Sequence, residues 1–303
     1  MDDPQLRSIP ALRSAGWTPY QVRRAVAAHE LVRLTRRVYT PARELSPRDE
    51  HLVRAAALLS THRDSVVLSH ASAAIAHGLA VQVDNPRLVD LTTPPPGRGR
   101  RTATYHLHCA RFTADDVVTV GDLRVTSLAR TVVDLARTAQ HAWAVVAADQ
   151  ALARDVSRDS LLAVVQASKG MTGVEQARQV IAFADGRSES VAESVSRVMI
   201  SRTGLPQPVP QFRVEVDGLV VARGDFGWED WNLIGEVDGK VKYRRVEGND
   251  QSPEDVMVAQ NRRQESIRQA GFWVTRWGWA QAWSVSALGK LLRTALERQG
   301  WRP

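Results

Sequence analysis

The residues best suited to chemistry in this chain are acidic side chains in its last third. Asp225 lies near the end of one predicted strand, and Glu236 and Asp238 lie near the end of its predicted hairpin partner. Residues two apart on a strand face the same way, so Glu236, Asp238 and Lys240 are expected to project together. Across the hairpin, Asp225 is expected to come within metal-sharing distance of Glu236.

Converging carboxylates favour a bound cation. Three such groups repel one another and have raised pKa values unless a cation neutralises them. Mg²⁺ suits oxygen ligands, and bound Mg²⁺ can lower the pKa of a water and neutralise charge on a scissile phosphate. Lys240 could orient that water or offset charge in the transition state. Asp238-Gly239 as an ordinary hairpin tip is the competing interpretation.

Lysine usage also draws attention to this segment. Only four of the 40 basic residues are lysines, and two of them are Lys240 and Lys242. A compact ammonium suits a crowded phosphate site better than a guanidinium does. Glu193, earlier in the chain, follows Ser190 at the spacing of a capping box, which by itself needs no catalytic role.

A second concentration of charge lies near the N-terminus. Residues 20–43 contain six arginines and one acid, Glu30. Clustered basic residues on a helix and a β-ribbon favour DNA contact, and a solvated basic face is the alternative. The arginines expected to contact DNA are Arg23, Arg24, Arg33, Arg36 and Arg37.

The elements that carry these arginines resemble a winged helix-turn-helix. Apolar spacing predicts a helix within residues 4–15 that ends at Gly16. Thr18-Pro19 predicts the start of a second helix, which runs to about His29. Two short strands, 31–34 and 37–39, follow.

Residues 46–186 are predicted to form a mixed α+β region. Strands are expected at 88–91 and 102–108, a hairpin over 117–125 that turns at Gly121-Asp122, and helices at about 141–154, 157–168 and 172–184. The spacings of the histidines and the single cysteine in this region fit no standard metal-ligand pattern, so they are interpreted as ordinary surface or core residues. These residues are His70, His77, His106, His108 and Cys109.

The last third is predicted to follow the order αβββαβα. Its helix from Ser190 ends near Gly204, three strands follow, and a helix over 253–270 precedes a buried strand at 272–277. The domains expected are therefore 1–45, 46–186 and 187–303. The fold class is α/β in the broad sense, α+β overall.

Composition limits the classes of protein to which this chain can belong. The chain has 303 residues, a net charge of +7 and 44% hydrophobic residues, which is typical of a globular protein. No run of about 18 apolar residues is present, and the first residues lack the pattern of a signal peptide, so a cytoplasmic protein without a membrane partner is expected.

These features resemble an actinobacterial family with an AbiEi-like antitoxin winged helix at the N-terminus. Its C-terminal domain is similar to PD-(D/E)XK nucleases, as a relative of very-short-patch-repair endonucleases. The resemblance rests on these segments: 16–24, 34–39, 68–74, 125–134, Glu193, 204–206, 224–228, 235–243, 262–265 and 271–277.

The resemblance implies roles for the acids. The metal-binding acids of the superfamily fall on Asp225 and Glu236, and its helical acid falls on Glu193. Asp238 stands where the superfamily has a lysine, which leaves Lys240 or Lys242 as its substitute. The implied cofactor is Mg²⁺ or Mn²⁺.

Two functions follow from the resemblance. The first is a DNA-binding enzyme that cleaves double-stranded DNA with Mg²⁺. The second is a transcriptional autorepressor and antitoxin of a type IV toxin-antitoxin system, whose partner is a nucleotidyltransferase toxin and whose nuclease fold is inactive. Fold alone does not separate them.

Overall fold

The computed structural model describes residues 5–238 and 265–303, and it confirms an α+β fold. The chain forms two compact units. The first unit comprises Met1–Gln140 and Val156–Ile181, and the second comprises His141–Asp155 and Ala182–Pro303. Residues 141–155, which include a helix over His141–Leu152, thus belong with the C-terminal third. The division into domains 1–45, 46–186 and 187–303 stays a prediction.

The N-terminal segment has two helices followed by a β-ribbon, the order expected for a winged helix-turn-helix. Thr18 begins the second helix with a capping box to Gln21, and Gly16 adopts a φ of +84° between the helices. Residues 7–8, expected to be helical, instead form a strand that pairs with the ribbon. The elements are β1 (Arg7–Ser8), α1 (Ile9–Ser14), α2 (Pro19–Ala27), β2 (Leu31–Arg33) and β3 (Val38–Pro41).

The rest of the first unit is built on a six-stranded mixed sheet of order β6-β7-β5-β4-β9-β8. Two of its pairings, β5 with β7 and β4 with β9, are parallel. The elements are α3 (Pro47–Leu59), β4 (Val67–Leu68), α4 (His70–Ala76), β5 (Val89–Thr93), β6 (Arg100–Arg101), β7 (Tyr105–Cys109), β8 (Val117–Val120) and β9 (Leu123–Thr126).

Four helices follow this sheet along the chain, and the three predicted between residues 141 and 184 are confirmed. They are α5 (Leu128–Thr138), α6 (His141–Leu152), α7 (Arg158–Ala167) and α8 (Val174–Phe183). Helix α6 belongs to the second unit, whereas α7 belongs to the first.

The second unit has a four-stranded sheet of order β10-β11-β12-β13, in which β12 and β13 are parallel. The predicted hairpin turns at Asp217-Gly218, as expected. The elements are α9 (Val191–Ser201), β10 (Val209–Val216), β11 (Leu219–Trp228), β12 (Leu233–Asp238), α10 (described at residues 265–269), β13 (Trp273–Gly278), α11 (Trp279–Ala282) and α12 (Val285–Arg298).

Helix α9 packs on one face of this sheet. The Trp277 indole donates a hydrogen bond from Nε1 to Ser196 Oγ on α9 at 2.8 Å. A Cβ at Gly235 would lie within 3 Å of the Trp277 ring. Gly235 on β12 and Trp277 on β13 therefore mark the face of the sheet that α9 covers.

Helix α6 is anchored to α9 by a buried ion pair. Asp149 is fully buried, and its Oδ2 accepts from Arg197 Nη1 at 2.8 Å. Its Oδ1 accepts from the backbone N–H of Asp185 at 2.7 Å. Arg197 also donates to the Phe183 carbonyl and lies over the Phe183 ring.

Within residues 5–238 and 265–303, no helix combines the length and apolar character needed to cross a bilayer.

Candidate functional site

The predicted DNA-binding arginines all lie on the surface of the N-terminal segment. Arg23 and Arg24 are on α2, and the other three are on or beside the β2–β3 ribbon. Across the described part of the chain, no ion pair involves any of these five. Their charges therefore remain available to a phosphate backbone.

Asp225 lies where the pairing of β11 with β12 ends. The last regular pair is Phe226 opposite Gly235. Asp225, the residue before Phe226 in the chain, lies just beyond this pair. Its Oδ2 accepts a hydrogen bond from the backbone N–H of Val237 at 2.8 Å. The half-buried carboxylate thus takes the place of a ladder carbonyl, and β12 fixes its position.

Glu193 lies in the first turn of α9 and is buried. Its Oε2 accepts from the backbone N–H of Glu189 and from Gln211 Nε2, both at 2.8 Å. Burial raises the pKa of Glu193, and the negative charge of Asp225 raises it further. The structure therefore brings Glu193 and Asp225 into one electrostatic environment.

Gln211 is a site residue that the sequence analysis missed. It lies between two regular pairs of β10 with β11 and has a φ of +54°. Its Oε1 is buried and accepts no hydrogen bond from the residues that the structure describes. A lone glutamine in a strand gives no sequence pattern, so only the structure identifies it.

Glu236 is buried, and it binds an arginine. Arg276, its register partner on β13, donates from Nε and Nη2 to Glu236 Oε2, both at 2.8 Å. Because neighbouring residues of a strand alternate, Glu236 projects from the face opposite Gly235 and hence opposite α9. Asp238 is exposed at the end of β12. Lys240 and Lys242 lie outside the described residues.

The structure therefore brings only two of the predicted acids that it describes, Glu193 and Asp225, close to each other. Glu193 and Asp225 are close enough to interact electrostatically, whereas Glu236 has a protein cation as its partner. Within the described ranges, the ligand atoms of these three acids do not all lie within 4.8 Å of one another. The atoms near α9 that could serve as metal ligands are carboxylate oxygens and the unpartnered Gln211 Oε1. This set of oxygens fits a hard cation such as Mg²⁺.

Glu193 gives a pH-dependent prediction. Its raised pKa means that the folded chain holds this proton at pH values where the unfolded chain has lost it, so stability falls as pH rises above about 4.5. Glu193→Gln is expected to raise the free energy of unfolding at neutral pH and to reduce that fall. Urea unfolding between pH 4 and 8 measures both.

The control for this prediction is Glu189→Gln, an exposed acid that pairs with Arg223. It should give no gain in stability at neutral pH. A Glu193→Gln protein less stable than wild type at neutral pH would contradict the prediction.

Comparison with known proteins gives limited similarity. No family model matches the chain. Two Mycobacterium tuberculosis proteins, uncharacterized proteins MT2308 and Rv2248, are each 34% identical to it over 114 residues. That match covers 37% of this chain and 42% of each relative, so the chain spans about two fifths of the length of these relatives.

Solved structures that match the chain include the crystal structure of the RV2827C protein from Mycobacterium tuberculosis, with a TM-score of 0.45 and 17% sequence identity. The similarity covers 72% of this chain and 83% of that one.

Proposed function

We propose that the protein binds double-stranded DNA through its N-terminal segment and that its C-terminal unit cleaves DNA with a divalent metal. The observation that carries the DNA-binding part is the set of exposed arginines on α2 and the β2–β3 ribbon. In winged helix-turn-helix proteins the second helix enters the major groove. A DNA-binding role also implies a cytoplasmic location.

The two groups of arginines would contact different parts of the duplex. Arg23 and Arg24 project from α2 and would contact phosphates or base edges beside the major groove. Arg36 and Arg37 lie at the ribbon turn and would contact the backbone next to it. Contacts of this kind position the protein through charge and make binding dependent on salt.

Salt dependence gives the test of this interface. Each of the single variants Arg23→Gln, Arg24→Gln, Arg36→Gln and Arg37→Gln that loses a phosphate contact should reduce the slope of log K against log salt by about 0.9. Fluorescence anisotropy with a labelled duplex over a salt series measures the slope.

The matched control is Arg298→Gln, an exposed arginine at the end of α12 in the second unit. It is expected to leave the slope unchanged. If all four N-terminal variants keep the wild-type slope, the arginines form a solvated face and this interface is wrong.

The cleavage part of the proposal rests on Glu193, Asp225 and Gln211. Asp225 and Glu193 would hold Mg²⁺ or Mn²⁺, and the Gln211 Oε1 would accept a hydrogen bond from a water beside them. Such an ion lowers the pKa of water and neutralises charge on a phosphate. Lys240 and Lys242 remain the candidates for the displaced lysine of the superfamily.

A second candidate function is an autorepressor and antitoxin that binds operator DNA together with a nucleotidyltransferase toxin. The Glu236–Arg276 pair favours it, since one predicted metal ligand already has its charge neutralised by the protein. On this alternative the C-terminal unit cleaves nothing.

A further inference from the structure

A group of metal-ligating side chains lies on the sheet of the first unit, far along the sequence from the acids discussed above. Asp90 on β5 is the register partner of His106 on β7, and His108 lies two residues further along β7. Asp90 Oδ1 is 3.1 Å from His108 Nε2 and 3.8 Å from His106 Nδ1. All three ligand atoms lie within 4.8 Å of one another.

His106 and His108 line a cavity of about 460 Å³ that solvent can enter, and Asp90 lies against both histidines. The Asp90, His106 and His108 side chains are 17%, 32% and 21% exposed, so each is accessible without being free to move widely. Arg100, Arg101 and Arg137 also line the cavity, as does Asp134, which is ion-paired with Arg137. The cavity thus combines two histidine ligands with the positive charge of Arg100 and Arg101.

His70 packs against His108 and restrains it. It is buried, and its ring stacks on that of His108 with the centroids 3.8 Å apart. Its Nδ1 is 3.0 Å from Ser69 Oγ, and its φ is +48°, a value uncommon for a residue with a bulky side chain. Strained residues of this kind concentrate at functional sites, and this one limits the rotation of the His108 ring.

We propose that Asp90 Oδ1, His106 Nδ1 and His108 Nε2 bind a transition metal ion of the Zn²⁺ class, with a further coordination position open to the cavity. Two imidazoles and one carboxylate suit such an ion better than Mg²⁺ or Ca²⁺. Ligand atoms about 2.0–2.1 Å from a tetrahedral Zn²⁺ lie roughly 3.4 Å apart. The two distances from Asp90 lie on either side of that value, and the two histidine nitrogens lie within 4.8 Å of each other, so side-chain adjustment would bring the three ligands around an ion.

The open position determines the kind of ligand that the site would take. Three protein ligands and one free position are typical of zinc sites that bind or activate a small molecule. Arg100 and Arg101 give the cavity positive charge, which favours an anion with a phosphate or carboxylate group. The proposal does not depend on DNA binding or on cleavage by the second unit.

The test is a Zn²⁺ titration of the tag-free full chain, measured by isothermal calorimetry after the chain has been treated with a chelator and the chelator removed. Wild type is expected to bind Zn²⁺ in the micromolar range or tighter. His106→Asn and His108→Asn should each weaken binding at least about tenfold. Co²⁺ added in place of Zn²⁺ should give a d–d absorption spectrum that these variants lack.

Two variants serve as controls. His29→Asn and His141→Asn remove histidines outside the group and should keep wild-type affinity. Melting curves without metal show whether each variant is folded. If a histidine variant is unfolded, the near-isosteric Asp90→Asn decides in its place and should also lose affinity.

Two results would overturn the proposal. One is a wild-type chain that binds no Zn²⁺ at micromolar concentrations. The other is undiminished affinity in the folded ligand variants, which would place any bound ion elsewhere.

Discussion

Asp225→Asn is expected to reduce Mg²⁺-dependent nicking of supercoiled DNA by at least about 100-fold, if the C-terminal unit is a nuclease. The asparagine keeps an oxygen that can accept from the Val237 N–H, so the strand pairing should survive. It loses the negative charge that a divalent ion needs. Initial nicking rates at matched protein concentration measure the effect.

Two further measurements make the result specific. Asp230→Asn changes an exposed acid on the same unit and should nick at the wild-type rate. Mn²⁺ should raise the melting temperature of wild type and not of Asp225→Asn, because an ion that binds the native state stabilises it. A wild-type chain with neither nicking nor a Mn²⁺ shift would favour the repressor.

Asp149→Ala is expected to lower the free energy of unfolding by about 3–5 kcal/mol. The change leaves the Arg197 guanidinium buried without its carboxylate and the Asp185 N–H without its acceptor. Replacing a buried charge partner costs more than the pair itself contributes, because the remaining ion is poorly solvated. Urea unfolding of the full chain, followed by tryptophan fluorescence, measures the loss.

The control is Glu297→Ala on α12, an exposed acid of the same unit. Its effect should stay within about 0.5 kcal/mol. Asp149→Asn should lie between the two, since its amide oxygen can still accept a hydrogen bond. An Asp149→Ala chain as stable as Glu297→Ala would show that Arg197 finds another partner at little cost.

Local elements of this fold could be predicted because their signals are short in range. Thr18-Pro19 and Gly16 bracket the turn before α2 as expected, and Asp217-Gly218 forms the predicted hairpin turn. The strand expected at 272–277 is confirmed as β13 within one residue at each end, but its predicted burial is wrong, because only Trp277 of β13 is buried and Trp273 is 52% exposed. In each case a cap, a turn residue or an apolar run determines the local structure.

Contacts distant in sequence could not be predicted. The histidines of β7 were interpreted as ordinary residues because their spacing matches no ligand pattern, yet register with β5 brings Asp90 to them. Arg276 meets Glu236 only because β12 and β13 pair in parallel. Residues 7–8 became a strand because the ribbon offered an edge for pairing, which outweighed helical spacing.

Because α6 belongs to the second unit, it cannot reach its final packing partner early in translation, and this affects how the chain folds during synthesis. Eight of the twelve residues of α6 are buried in the finished protein, and α6 packs against α9. On the ribosome, α6 emerges before residues 156–181, which complete the first unit, and well before α9. The nascent chain therefore carries an apolar helix without its partner for the time needed to translate residues 153–201, an interval in which a chaperone that holds apolar segments would find its binding site.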